Sequence, residues 1–166
     1  MEDTPTMAVI RRFLKLIGEG EPPSNELLAR ALDELAMAYH NAPEDDPADE
    51  DRDPPEWDYK ERYAALAERF PQFGVYAISD PTEPINEEAR CGDAIDDLTD
   101  IEGDLAEVLW RFEALGPGDA HWHFRLLYHV HWGRHLRELA FYVHANTWRM
   151  ASMGGKQTLA SLGLKS

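Results

Sequence analysis

Between Asp93 and Trp148 the sequence carries two long runs of helical periodicity, broken only by Gly116-Pro117-Gly118. A breaker that short makes the two helices antiparallel neighbours. The first run is expected to start near Gly92 or Asp93 and reach about Leu115. Projected at about 100° per residue, its Leu98, Ile101, Leu105, Val108, Leu109 and Phe112 share one face. Asp119 is a fitting N-cap for the second run, which is expected to continue as one helix to about Trp148. On it Phe124, Tyr128, His131, Trp132, His135, Leu139 and Tyr142 share a face.

Shorter helices are predicted upstream. Met7, Ile10, Phe13, Leu14 and Ile17 repeat at helical spacing over residues 6–17, and Gly18, Gly20 and Pro22-Pro23 stop that helix. Ser24 caps a second one over residues 26–40, with Leu28, Ala31, Leu32, Leu35 and Tyr39 as its apolar stripe. A third, residues 59–70, aligns Tyr63, Leu66 and Phe70 and ends at Pro71. Residues 73–78 read as extended, and one short strand cannot make a sheet, so they are expected to lie across the helices. Residues 81–88 read as loop. The fold class is therefore all-α: an antiparallel bundle of four to five helices with a short extended segment and a long acidic loop. Residues 1–150 form one helical domain, and 151–166 a flexible C-terminal tail.

That acidic loop is residues 41–58, NAPEDDPADEDRDPPEWD, with nine acids, one arginine and four prolines. Its net −8 is half of the chain's −16. Too polar to bury apolar surface, it is expected to be mobile and solvated, or to act as a docking strip for a basic protein. The same charge excludes nucleic acid as a general partner, because phosphates would be repelled. No apolar run is long enough for a membrane span, and Arg11, Arg12 and Lys15 interrupt the only apolar patch near the start, so a cytoplasmic protein is expected. A single cysteine, Cys91, excludes an internal disulfide and a CxxC zinc site.

The two long helices hold the residues that could carry chemistry. Asp93, Asp97, Asp100 and Asp104 stack along one edge of the first, although like charges at that spacing repel and Asp is a mediocre helix former. The helix dipole accounts for the earliest of them and not for Asp104. Six of the seven histidines lie in the second helix, with His131 and His135 one turn apart on its aromatic stripe. Counting outward from the Gly116–Gly118 turn sets them opposite Leu98 to Asp104, so Asp97, Asp100 and Asp104 are their natural partners. Two readings stay open. The carboxylates and imidazoles form a buried hydrogen-bond network that also draws on Tyr128, Trp132 and Glu138, or they grip a divalent metal. For a metal the ligand candidates are His131, His135, Asp97 and Asp100, and zinc, manganese, iron or nickel would suit them. HWGRH lacks the glutamate of HExxH metalloproteases, and no Glu-x-x-His motif occurs. Gly133, inside HWGRH, costs about 1 kcal/mol in a helix and predicts close approach of a backbone or of a large ring such as Trp122 or Trp110.

DDLTDI (Asp96 to Ile101) and HWGRH (His131 to His135) resemble an uncharacterised bacterial family, a domain of unknown function built around DDLxDI, aromatic residues and HWGxH. The matching positions are Asp96, Asp97, Leu98, Asp100, Ile101, Trp122, Phe124, His131, Trp132, Gly133 and His135. The likeness implies the fold and the site but brings no activity. A weaker likeness is to DinB-like four-helix proteins, which use three histidines for a metal; it implies His40 with His131 and His135. Function is read as a helical interaction protein whose acidic surface meets a basic protein partner. The alternative is a metal-dependent hydrolase with the metal on His131, His135 and an aspartate. A third reading, an all-α phosphohydrolase with magnesium on the aspartate ladder, lacks the expected glutamates.

Overall fold

The computed structural model describes residues 2–48, 52–82 and 90–152, with side chains through residue 148. In chain order the elements are α1 (Pro5–Gly18), α2 (Asn25–Asn41), α3 (Tyr59–Arg69), β1 (Val75–Ile78), β2 (Arg90–Asp93), α4 (Ala94–Ala114), α5 (Pro117–Leu127), a π-helical turn (Tyr128–Trp132) and α6 (Gly133–Ser152). The predicted all-α bundle is the observed fold. α4 packs against α1, α3, α5 and α6, while α2 packs against α1 and α6. The pairings Arg111 with Asp119, Asp104 with His131 and Asp97 with His135 show α4 antiparallel to the α5–α6 rod.

Local signals set most boundaries. Thr4 and Ser24 accept from the backbone N–H three residues on and cap α1 and α2. Arg69 donates to the carbonyls of Leu16, Glu19, Gly20 and Glu21, closing the end of α1. Leu98, Ile101, Leu105, Val108 and Phe112 of α4 are buried, as their spacing predicts.

Three expectations are corrected. First, residues 75–78 do not lie alone. They pair antiparallel with Arg90–Asp93, Tyr76 opposite Gly92. The sequence RCGD has little strand propensity. It pairs because Gly92 makes room: a Cβ there would stand 2.8 Å from the Tyr76 ring. Second, α5 begins at Pro117, behind Gly116 at φ +100°, so Asp119 is not the N-cap but a buried first-turn residue. Third, the last helix is not one rod. At Tyr128–Trp132 the ladder widens to i→i+5, with Gly133 N–H reaching the Tyr128 carbonyl. A Cβ at Gly133 would lie 2.3 Å from that carbonyl oxygen and 2.9 Å from the Tyr128 ring. The close approach predicted for Gly133 is real, but its partner is Tyr128, not Trp110 or Trp122.

The acidic stretch is largely exposed where it is described and is tied to the bundle at a few points. Asp45 bonds buried His121 at 2.7 Å, and Ala48 N–H donates to Asp119 at 2.9 Å. Arg52 reaches the Ala114 carbonyl, and the Trp57 indole lies on Gly103 of α4. Residues 49–51, most of the loop expected at 81–88, and the tail beyond Ser152 lie outside the described residues.

Candidate metal centre

Asp93 caps α4 and starts the acidic ladder, and every aspartate on that edge has a partner. Tyr63 donates to Asp93 at 2.7 Å, Tyr59 donates to Asp96, and Tyr76 donates to Asp97 at 2.5 Å. Burial first, then the bond to the carboxylate, raises the Tyr59 and Tyr76 phenols well above their usual range, so both remain donors. Tyr63 and Tyr76 bond the first two members of the ladder, Asp93 and Asp97, while His131 and His135 face Asp104 and Asp100. The sequence reading missed the tyrosines because Tyr63 and Tyr76 count as apolar in a periodicity. The usable signal was the i, i+4 spacing of Tyr59 and Tyr63, which turns two hydroxyls to one neighbour.

His131 and His135 face the ladder. His131 Nδ1 is 2.8 Å from Asp104 Oδ2, and His135 Nδ1 is 2.8 Å from Asp97 Oδ1. A carboxylate only accepts, so each Nδ1 carries a proton and donates it; Nε2 offers a lone pair when the ring is neutral and becomes a second donor when the ring is charged. Both Nε2 atoms turn to one oxygen: Asp100 Oδ2 is 3.4 Å from His135 Nε2 and 4.0 Å from His131 Nε2. Asp100, His131 and His135 thus bring one ligand atom each within 4.8 Å of one another. Ligands about 2.1 Å from a common ion are separated by about 3–3.5 Å, so the trio needs only a small contraction to hold one.

Within this arrangement the candidates divide. Asp97, expected as a ligand, is buried at 4% side-chain exposure and is taken up by His135 and Tyr76. It lies outside the trio of Asp100, His131 and His135 and fixes the His135 ring. Asp104 does the same for His131 and also lines a cleft of 440 Å³ over the site. The histidines are not buried as expected: the His131 side chain is 44% exposed and His135 is half-buried. Trp132 is fully buried, donating its indole N–H to the Phe124 carbonyl. Tyr128 stacks on Tyr39 at 3.6 Å and accepts from Arg137. Glu138 pairs with Arg134, and both border the hollow beside the hairpin. Tyr128 and Trp132 are outside the cluster because the π-helical turn breaks the single 100° projection that put them with the histidines, and Glu138 because Arg134 holds it. His40 is exposed on α2 and does not join the trio.

Burial raises the carboxyls of Asp100 and Asp104 above their usual value. The bond to Asp97, against opposing burial, raises His135 above 6.5. A raised imidazole pKa means the folded state favours the charged ring. Its stabilisation is complete below about 6.5 and fades as pH rises through the folded value. In metal-free protein, the stability difference between wild type and His135→Gln should therefore shrink from pH 5.5 to about 9 in urea unfolding. A difference that grows with pH contradicts the pairing.

The fold is similar to the crystal structure of protein BF1032 from Bacteroides fragilis, with a TM-score of 0.64 at 15% sequence identity. The alignment covers 84% of this chain and 88% of that one, and at this identity the likeness speaks to fold alone. No family model matches the chain, and no curated protein matches it.

Proposed function

We propose that this protein is a metal-dependent hydrolase whose Asp100, His131 and His135 hold one divalent ion. The observation that carries the reading is the division of the two imidazoles. Each gives Nδ1 to its own carboxylate and leaves Nε2 facing Asp100. Carboxylate–histidine pairs of this kind fix tautomer and ring orientation at metal sites and raise ligand basicity. Three protein ligands also leave a position open, as hydrolytic zinc sites require. When bound, such an ion lowers the pKa of a water and polarises a carbonyl. Asp104 lines the cleft beside His131 and holds that ring by its Nδ1. The π-helical turn, a device frequent at functional sites, sets both histidines.

Zinc suits this donor set, with manganese, iron and nickel as the other candidates. DDLTDI and HWGRH are the segments that supply the site, which supports the resemblance to the uncharacterised family built on them. The expectation of a basic protein partner rests on the net charge of −16 and the exposed acids of the strap, such as Glu44. Among the described residues no helix is long and apolar enough to cross a membrane.

Hydrolysis of p-nitrophenyl acetate by protein stripped with chelator and then given zinc tests the reading. Zinc should restore activity, and Asp97→Asn should weaken zinc affinity by about 10- to 100-fold by releasing His135. Hydrolysis indifferent to metal contradicts it.

A further inference from the structure

The cleft over Asp100 and Asp104 runs along α4 toward Trp110 and has a chemical character of its own. Its charged walls are Glu56, Asp100, Asp104 and Glu107, the last also paired with Arg111 at 2.8 Å, and no lysine or arginine lines the cleft itself among the described residues. Its apolar walls include Trp57 and Trp110. Both rings already take cations outside the cleft: the Arg62 guanidinium sits 5.9 Å from the centroid of Trp57, and that of Arg111 sits 5.8 Å from Trp110. Trp57 reaches its place because position 103 is glycine; a Cβ there would stand 3.1 Å from the indole nitrogen. Wall aromatics with carboxylates between them attract a cationic nitrogen and repel an anion. At 440 Å³ the cleft is of small-molecule size.

We infer that the substrate is a small molecule carrying an alkylammonium group, held between Trp57, Trp110 and Glu107. The metal reading is needed only to say where its reacting end sits. From Asp100 to Glu107 the helix rises about 10 Å, which sets the span between ammonium and reacting group.

The test uses three probes of one shape on the full chain, with and without zinc: choline, its uncharged analogue 3,3-dimethylbutan-1-ol, and the anion 3,3-dimethylbutanoate. Binding is read from the indole N–H signals of Trp57 and Trp110 in NMR titrations, assigned with Trp57→Phe and Trp110→Phe. Choline should shift both signals and bind about tenfold tighter than the neutral alcohol, with the anion weakest. Glu107→Gln and Trp110→Leu should each remove most of that preference. Equal affinity for choline and the alcohol, tightest binding of the anion, or no shift of either indole overturns the inference. A choline preference in protein that binds no zinc upholds this inference and sinks the metal reading alone. Stoichiometric zinc without the preference does the reverse.

Discussion

Gly133→Ala is expected to destabilise the protein by about 3 kcal/mol, although alanine is the better helix former by about 1 kcal/mol. The reason is the 2.3 Å that would separate the new Cβ from the Tyr128 carbonyl oxygen. That oxygen belongs to the backbone and accepts the i→i+5 bond from Gly133 itself, so no side-chain movement relieves the clash. The turn must either open or close into a regular α-helix. Either change rotates Gly133–Ser152 relative to Pro117–Leu127 and withdraws His131 and His135 from Asp104 and Asp97. Zinc affinity should fall together with stability, which a purely local packing defect would not produce. Urea unfolding and zinc titration check both. A variant more stable than wild type contradicts the account of the turn.

Asp119→Ala is expected to cost a further kind of stability, about 3 kcal/mol, from the other end of the same hairpin. Asp119 is buried, pairs with the buried Arg111 at 3.4 Å and accepts from Ala48 N–H at 2.9 Å. Its removal leaves the guanidinium with Glu107 alone and orphans a strap donor. The value is set at the low end for a broken buried pair because Glu107, 2.8 Å away, stays. Limited proteolysis within residues 41–58 should accelerate in the variant, because Asp119 is one of the ties that hold the strap. Asp119→Asn keeps an acceptor for Ala48 and should lose less. A loss under about 1 kcal/mol in Asp119→Ala, with unchanged proteolysis, contradicts this.

Much of this architecture is written locally in the sequence. Gly116-Pro117-Gly118 dictates the hairpin, and counting out from it pairs His131 and His135 with the right aspartates. Ser24 caps α2 through a backbone bond that depends on its neighbours in sequence alone. What escaped the sequence reading depends on single-residue geometry or distant partners. One widened turn at Tyr128–Trp132 shifts every later side chain, so Tyr128 and Trp132 were grouped with histidines they do not join. Glu138 is drawn away instead by Arg134, four residues earlier on the same helix. The acidic loop's composition reads as solvated and its described residues are largely exposed, but composition does not reveal that Asp45 bonds His121, 76 positions away. Composition averages over residues, whereas a buried imidazole needs only one of them. The tyrosines that bond Asp93, Asp96 and Asp97 come from α3 and β1, and no periodicity within α4 points to them.

Equilibrium dialysis of the chelator-stripped chain against zinc, with metal content measured by mass spectrometry, addresses the central claim most directly. The account predicts one ion per chain in wild type and none in Asp100→Asn/His131→Ala/His135→Ala, with the circular dichroism of that variant still helical. A folded wild type that takes up no zinc, manganese, iron or nickel, or a triple variant that binds as the wild type does, would contradict it.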